Sequence, residues 1–379
     1  MILGGCVTPP PVPPAPPARA LFSATTFAEL PGWSDDRVEA AWPAFRVGCE
    51  ALVARAQRVW QAPCADADAV DEQAPGAVRG FFESHFTPYR VRASDGSERG
   101  LVTGYYEPLL QGSRTYAPGY TVPLYAPPDD LLVVELSDLY PELKGKRVRG
   151  RLDGRRVVPY WPRADIDAGR AHVAGKELVY VTDPLDAFFL QIQGSGRVAL
   201  AEGGTMRVGY ADQNGQPFRS VARVLIERGE LAVEQASMQR IRQWGRDHPA
   251  ELPALLDENP SYVFFREVPP PAAGSLEARI DGPLGSLGVP LLAGRTVAVD
   301  PRAIPLGTPV FLATTRPLSD EPLRRLVMAQ DTGGAIRGAI RADFFWGFGA
   351  EAGEQAGRMR QQGEMWILWP NGAKPPGET

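Results

Sequence analysis

Two aspartates mark the segment that reads Val327-Met-Ala-Gln-Asp331-Thr-Gly-Gly-Ala-Ile-Arg-Gly-Ala-Ile-Arg-Ala-Asp343-Phe-Phe-Trp-Gly-Phe-Gly349. Asp331 follows an apolar run and precedes two glycines, a context in which aspartate commonly forms turns. Asp343 precedes a block of aromatic residues. Apolar surface excludes water from a carboxyl group and raises its pKa, so that the group can act as a general acid near neutral pH. The segment alone leaves both interpretations open.

Three further motifs accompany this segment. A third aspartate ends the apolar run Thr296-Val-Ala-Val-Asp300. Tyrosine and threonine side chains occur in Val102-Thr-Gly-Tyr-Tyr-Glu-Pro108, and amide and hydroxyl side chains in Ala187-Phe-Phe-Leu-Gln-Ile-Gln-Gly-Ser-Gly-Arg-Val198. Together, and in this order along the chain, the motifs resemble those of the membrane-bound lytic murein transglycosylase A family. The resemblance covers approximately residues 30–370.

The resemblance implies a mainly β fold with helices, of class α+β. A double-psi β-barrel domain is expected from residues 21–108 together with residues 262–379. A second, smaller β-barrel domain, residues 109–261, is expected to be inserted into the first. A groove between the two domains would hold a glycan strand of peptidoglycan. Residues 1–20 would form an anchor and a linker.

The resemblance also implies a chemistry. A lytic transglycosylase cleaves the β-1,4 bond between N-acetylmuramic acid and N-acetylglucosamine, and the C6 hydroxyl of the substrate closes a 1,6-anhydro ring. One carboxyl group can serve as acid and then as base. Motif position gives this catalytic role to Asp343, with Asp331 supporting the site and Asp300 fixing a loop. The positions expected to bind the glycan are Thr103, Tyr105, Gln191, Gln193, Ser195, Gly333 and Gly334.

Two other functions compete with this interpretation. Asp331-Thr-Gly333 matches the short signature of aspartic peptidases, but the chain has no second such triplet. Those enzymes need one because two carboxylates share a proton. A non-catalytic glycan-binding barrel, as in expansin-like domains, does not require the aromatic setting of Asp343. We therefore expect an enzyme, a peptidoglycan lytic exotransglycosylase, although the residues do not separate cleavage at strand ends from internal cleavage.

Composition excludes several classes of protein. The chain of 379 residues is long enough for two domains, and its hydrophobic fraction of 44% is sufficient for sizeable cores. The formal net charge is −5 and no long basic block occurs, so nucleic-acid binding is not expected. His85, His172 and His248 lack the spacing of metal ligands. We expect no metal and no cofactor, and the sequence indicates no particular protein partner.

The N-terminal region contains Leu3-Gly-Gly-Cys6, which resembles a bacterial lipobox. The motif is short enough to occur by chance, but the mostly proline segment Thr8–Ala18 is typical of a tether of about 30 Å. No apolar run is long enough to span a membrane. We expect a lipid anchor at Cys6. Because Val7 is not the aspartate that favours inner-membrane retention, we expect the periplasmic face of the outer membrane.

The other two cysteines, Cys49 and Cys64, flank residues 50–62, where apolar residues recur at helical spacing. The spacing predicts one helix between them. In an oxidising compartment the cysteines would form a disulfide that closes this helix. The alternative is a pair of small buried apolar residues. The export motif at Cys6 favours the disulfide.

The remaining sequence pattern alternates between helices and strands. Apolar periodicity predicts helices within residues 34–92, 220–228, 232–246, 252–258 and 349–359. Strands are predicted from Arg99 onward, among them residues 187–193 and 287–292. A hairpin is predicted over Arg147–Val158, with its turn at Asp153-Gly154.

Overall fold

The structure of the chain, a computed structural model, describes residues 20–143 and 148–377. The expected lipidation site, Cys6, lies outside these ranges. Numbered in chain order, the helices are α1 Trp42–Ala54, α2 Gln61–Ala67, α3 Ala77–His85, α4 Arg163–Asp167, α5 Pro184–Gln193, α6 Val221–Glu227, α7 Met238–Asp247, α8 Leu252–Asp257 and α9 Gly349–Arg358. In these two ranges, no helix is both long and apolar enough to cross a membrane.

The strands form three sheets. They are β1 Leu21–Ala24, β2 Phe86–Arg92, β3 Gly100–Glu107, β4 Leu109–Ser113, β5 Val122–Tyr125, β6 Leu132–Val133, β7 Arg149–Asp153, β8 Arg156–Pro159, β9 Glu177–Val181, β10 Ser195–Leu200, β11 Thr205–Gln213, β12 Val263–Glu267, β13 Thr296–Val299, β14 Pro309–Thr315, β15 Pro322–Asp331, β16 Ala342–Phe348 and β17 Arg360–Pro370.

The largest sheet closes on itself. Its strand order is β1-β2-β17-β14-β15-β13-β16-β3, and β17 pairs with β3 as well. Six strands therefore form a closed barrel, and β1 and β2 extend from β17. The pairs β13–β15 and β16–β3 are parallel. This barrel combines β3 from the first third of the chain with five strands from the last quarter, and it is the double-psi β-barrel of the expected α+β fold.

An aromatic cluster fixes the N-terminal helices on the barrel. Trp42 and Phe45 of α1 contact Phe82 of α3 at ring-centroid distances of 6.0 and 5.1 Å, and Phe45 also contacts Phe86 of β2 at 6.0 Å. Edge-on pairs of this kind contribute about 0.5–1.5 kcal/mol each beyond their burial. The cluster is continuous with the core on one face of the barrel sheet.

The second sheet has six strands in the order β12-β11-β10-β4-β9-β5. Its core is separate from that of the barrel and contains Leu110, Val179 and Phe265. Because β12 pairs with β11, this unit continues past the expected crossing at residue 261. We propose that the insertion runs from about Leu109 to Glu267.

A small third sheet, β6-β7-β8, belongs to the same insertion. Its strands β7 and β8 pair from Gly150↔Pro159 to Asp153↔Arg156, and Gly154 in the turn has a φ of +59°. The hairpin predicted at Asp153-Gly154 is confirmed. Glycine adopts this left-handed backbone conformation without a steric penalty.

Two strand predictions are wrong. Residues 187–193 belong to helix α5, because the Asp183 side chain caps its start by accepting hydrogen bonds from the backbone N–H groups of Leu185 and Asp186 at 2.7 and 3.1 Å. Gly194, with a φ of +80°, ends the helix. A short apolar run does not distinguish a buried helix from a buried strand. Residues 287–292 form a loop with an isolated bridge between Leu284 and Pro290.

The single helix predicted between the cysteines is also wrong. Helix α1 ends at Ala54, Ala56 has a φ of +54°, and α2 begins at Gln61. Cys49 and Cys64 form a disulfide that joins the two helices, with their Cα atoms 5.3 Å apart. One straight helix would separate residues fifteen positions apart by about 22 Å, so the disulfide is compatible only with the broken helix.

Candidate active site

The two aspartates of the opening segment lie in one row across the barrel sheet. Ala298 of β13 pairs with Asp331 of β15 on one side and with Asp343 of β16 on the other. Asp343 in turn pairs with Thr103 of β3. Side chains of directly paired residues point to the same face of a sheet. The row therefore places all three polar side chains on one face, with Asp331 and Asp343 two strand spacings, or about 10 Å, apart at Cα.

The next row on this face is aromatic. Tyr105 of β3 pairs with Phe345 of β16, and their ring centroids lie 5.1 Å apart. Both residues are buried and form a small apolar cluster with Leu291, Ala298 and Ile336. The alternation of a strand thus sets an apolar wall beside the carboxyl groups.

Gly104, between Thr103 and Tyr105 on β3, allows α9 to pack closely on this strand. A Cβ atom at this position would lie 2.7 Å from the ring of Trp346 and 2.9 Å from the Cα of Ala356 in α9. Since no larger residue fits, α9 packs directly on the backbone of β3. This packing holds Thr103 and Tyr105 against β16.

Asp343 is half-buried and takes part in a short polar chain. The hydroxyl of Thr103 donates to its Oδ1 at 2.5 Å, and the guanidinium of Arg341 donates to that hydroxyl at 2.9 Å. Burial raises the pKa of Asp343, and the charge of Asp331 raises it further. The Thr103 hydrogen bond and the Arg341 charge partly oppose the shift, but the pKa stays above its ordinary value.

Asp331 accepts hydrogen bonds at Oδ1 from the backbone N–H and the hydroxyl of Ser286, at 2.9 and 2.8 Å. Burial raises the pKa of Asp331 despite these bonds. The phenol of Tyr105 interacts electrostatically with Asp331 without reaching hydrogen-bond geometry, and burial raises its own pKa well above the ordinary value. Among the described residues the hydroxyls of Tyr105 and Thr332 are buried and have no hydrogen-bond partner.

The third aspartate has a different environment. Asp300 is buried and forms an ion pair with Arg302, in which two guanidinium nitrogens donate at 2.9 and 2.7 Å. Its Oδ2 also accepts from the backbone N–H of Gly338 at 3.0 Å. Although burial opposes ionisation, the bonds from Arg302 and Gly338 lower the pKa of Asp300. It is therefore an ionised anchor for the loop between Asp331 and Asp343.

Of the other expected glycan-binding residues, the two glycines lie beside Asp331 in the barrel, and the remaining three lie in the insertion. Gly333 and Gly334 follow Thr332, and Gly334 is exposed with open space where a Cβ atom would stand. Ser195 begins β10 and lines a cavity between the insertion and the barrel. The side-chain amide oxygen of Gln193 accepts from the backbone N–H of Tyr106 at 3.1 Å and thereby links α5 to β3. Gln191 is buried, and its side-chain amide oxygen accepts from the guanidinium of Arg163 at 2.6 Å inside the insertion.

The sequence predictions omitted Thr332, and they also omitted Arg341 and Ser286, the two residues that position the aspartates. Arg341 stands two positions before Asp343, so strand alternation alone places it on the same face. Ser286 is 45 positions from Asp331 and lies in the turn just before residues 287–292, the segment that was predicted as a strand. No local signal in the sequence connects Ser286 with Asp331.

Comparison with known proteins agrees with this architecture. Residues 101–266 match the model of the MltA specific insert domain, and residues 295–369 match that of the 3D domain. The two matches describe a two-part protein of the lytic transglycosylase class, with a barrel and a characteristic insertion. The match of the C-terminal region and the closed barrel confirm the predicted fold class.

Relatives identify the family. The membrane-bound lytic murein transglycosylase A of Escherichia coli K12 is 33% identical over 306 residues, which cover 78% of this chain and 73% of the relative. The crystal structure of MltA from Neisseria gonorrhoeae has a TM-score of 0.81 and 37% identity, with 95% of each chain covered. The chain belongs to the membrane-bound lytic murein transglycosylase A family. A further similar structure is E. coli MltA with bound chitohexaose, with a TM-score of 0.68, 28% identity and coverage of 92% of this chain and 94% of that one.

Proposed function

We propose that this protein is a lytic transglycosylase that cleaves the β-1,4 bond between N-acetylmuramic acid and N-acetylglucosamine and leaves 1,6-anhydro-muramyl ends. The observation that carries the proposal is the environment of Asp343. It combines a raised pKa, a hydrogen bond from Thr103 and a partly exposed position in the same row of the barrel sheet as Asp331. Membership of the family and the chitohexaose bound by a relative support a glycan substrate.

In the first step Asp343 donates its proton to the glycosidic oxygen, the C1–O bond breaks and positive charge develops at C1. In the second step the Asp343 carboxylate takes the proton of the C6 hydroxyl while the oxygen of that hydroxyl bonds to C1. Asp343 ends the cycle protonated and no water is consumed. One carboxyl group therefore performs both proton transfers.

Asp331 is proposed to support this cycle rather than to react. Its negative charge raises the pKa of Asp343, and the bonds from Ser286 hold it in place. The unpartnered hydroxyls of Tyr105 and Thr332 lie in the same region of the site, and buried polar atoms are usually satisfied by a partner. We assign these hydroxyls to the bound sugar, together with Thr103, Gly333 and Gly334.

Product analysis tests the proposed function. Purified peptidoglycan sacculi digested with the protein are expected to yield muropeptides with 1,6-anhydro ends, which mass spectrometry distinguishes from reducing ends by the mass of one water. The Asp343→Asn variant is the control and should release no products. Reducing ends would show a hydrolase with a second catalytic carboxylate, and cut peptides would show a peptidase.

We also propose that the protein is a lipoprotein at the periplasmic face of the outer membrane. The relatives are named membrane-bound, and Leu3-Gly-Gly-Cys6 with its proline-rich continuation is typical of a lipid anchor and tether. Metabolic labelling with a palmitate analogue should label the exported protein, and Cys6→Ser should abolish both the label and sedimentation with outer membranes. A wild-type protein that remains unlabelled in the soluble periplasmic fraction would contradict the anchor.

A further inference from the structure

A cavity of about 270 Å³ lies between the insertion and the barrel. One side is formed by β10, β11 and the end of β12, and the other by the loops that follow β12. The residues that matter for its chemistry are Ser195, Arg266, Pro270, Glu277, Leu284 and Pro290. Its volume is near the lower end for small-ligand sites, which are usually apolar with a few placed polar groups.

The cavity is connected with the proposed active site by two shared walls. Glu107, which lines the cavity, is four residues beyond Thr103 on β3, a distance of about 13 Å along a strand. Leu284 and Pro290 also line it, and between them lies Ser286, which binds Asp331. A ligand in the cavity would therefore lie beside a glycan bound at the aspartates.

The lining is unlike that of a sugar site. It contains neither aromatic rings nor side-chain amides, the groups that commonly hold sugars, and it consists mainly of proline, valine, leucine, isoleucine and glycine. These groups suit the aliphatic parts of a peptide, whose own polar atoms would remain partly in solvent.

The charged residues of the lining indicate which charged groups a ligand would carry. Glu107 pairs with Arg197 at 2.8 Å, and Arg207 pairs with Asp281. Within residues 20–143 and 148–377, the side chains of Arg266 and Glu277 have neither an ion-pair nor a hydrogen-bond partner. The cavity thus presents one unpaired cation and one unpaired anion. A ligand that carries both a carboxylate and an ammonium group would neutralise both.

We propose that this cavity binds the peptide stem that peptidoglycan carries on its muramic acid residues. The inference rests on the proposed function. The stem is a short peptide with alanine methyl groups, free carboxylates and the amine of a diamino acid, which matches the apolar lining, Arg266 and Glu277. Four extended residues span about 13–14 Å, the distance from Thr103 to the cavity wall at Glu107. The cavity would give the enzyme a preference for peptide-bearing strands.

Matched substrates test the proposal. We would measure kcat/KM of the whole protein on peptide-bearing glycan strands and on the same strands after an amidase has removed the peptides. The ratio of the two values should fall by roughly three- to tenfold in Arg266→Glu, as expected for reversing one partly exposed charge contact. Glu277→Lys should lower the ratio as well. Arg156→Glu is the control. This substitution makes the same charge change on the exposed β7–β8 hairpin, away from the cavity, and it should leave the ratio of the two kcat/KM values unchanged.

A binding measurement complements the kinetics. The free tripeptide L-alanyl-γ-D-glutamyl-diaminopimelate, titrated into the protein and followed by NMR, should shift signals of residues that line the cavity, and Arg266→Glu should weaken those shifts. The cavity proposal would be overturned if Arg266→Glu and Glu277→Lys gave the same kcat/KM ratio as Arg156→Glu while both substrates were still cleaved to anhydro products. No cleavage of either substrate, or reducing ends, would overturn the proposed function instead.

Discussion

Asp343 is the residue on which the proposed chemistry depends. Asp343→Asn keeps the shape of the side chain and its place beside Thr103, but it removes the carboxylic proton. General acid–base groups contribute about 10²–10⁴-fold, and here one group serves both steps, so kcat should fall by about 10⁴-fold. The release of anhydro products from sacculi measures kcat, and a glycan-binding assay with an unchanged melting temperature shows that the fold and the groove are retained.

Substitutions of the neighbouring aspartates, Asp331 and Asp300, provide the comparison for Asp343→Asn. Asp331→Asn should reduce kcat less than Asp343→Asn, because it removes a charge that raises the pKa of Asp343 and leaves the acid in place. Asp300→Asn should act mainly on stability, since it breaks the ion pair with Arg302. If Asp343→Asn keeps more than a tenth of the activity while Asp331→Asn has none, the acid has been assigned to the wrong residue.

Arg341 sets the protonation of Asp343 from the same face of the sheet. Its charge lowers the pKa of Asp343, and its guanidinium orients the Thr103 hydroxyl that donates to the carboxyl group. Arg341→Met should therefore raise the pKa of Asp343. Because the acid must be protonated for the first step, the high-pH limb of the kcat profile should move to higher pH.

The matched control for this prediction is Arg341→Lys, which keeps the charge and should leave the limb closer to its wild-type position. A structural role for Arg341 alone would lower stability or kcat at every pH without moving the limb. A profile of unchanged shape in Arg341→Met, in a protein that melts normally, would contradict the proposed effect on Asp343.

At the level of elements, the disulfide between α1 and α2 stabilises the helical layer that covers the barrel. Both cysteines are buried in the core that includes the aromatic cluster. Removing a native disulfide typically costs about 2–5 kcal/mol, so Cys64→Ala should lower the melting temperature by several degrees. The products should stay the same, because the cysteines belong to the core that supports the barrel and are not among the residues of the proposed site.

The oxidation state of the thiols is measured by alkylation. In protein purified without reductant, Cys49 and Cys64 should resist a thiol reagent until a reductant is added. Rapid labelling of both cysteines in folded, unreduced protein would refute the disulfide. The reduced protein offers a second comparison, since it should melt close to the temperature of Cys64→Ala.

At the level of the whole molecule, a charge cluster joins the barrel to the insertion. Glu107 at the end of β3 is almost fully buried and pairs with Arg197 of β10, which also contacts Asp281 and covers the ring of Phe348 at 4.1 Å. Removing one partner of a buried ion pair leaves an uncompensated charge and costs about 3–5 kcal/mol. Arg197→Met should therefore be strongly destabilised at neutral pH.

The pH dependence of this loss identifies its cause. Burial raises the pKa of Glu107 above its ordinary 4.5 even with Arg197 present. As the pH falls from 7, Glu107 in Arg197→Met should be protonated in the folded state before the unfolded state, so that the stability of the variant recovers towards pH 4.5. Melting curves across this range test the prediction. Arg114→Met, which breaks an exposed pair with Glu267, is the control and should show little change at any pH.

Local sequence was sufficient to predict those features whose physical cause lies in neighbouring residues. Asp153-Gly154 predicts a hairpin because a glycine is needed at the turn, and the hairpin is present. The aromatic residues after Asp343 predict a carboxyl group with a raised pKa, and Phe345 does adjoin the site. Residues 187–193 show the limit of this reasoning, because their apolar run satisfies either a helix or a strand and only the capping by Asp183 decides between them.

The order of motifs along the chain determined the family, the α+β fold and the candidate acid, because those properties depend on residue types that can be read one position after another. The tertiary structure alone decided which distant groups act on them. Thr103 and Asp343 are 240 positions apart, and Ser286 and Asp331 are 45 apart, yet each pair shares a hydrogen bond. The cavity with unpaired Arg266 and Glu277 likewise exists only where β12 and the loop after it meet. Such contacts arise from strand register and barrel closure, which no local pattern of residues encodes.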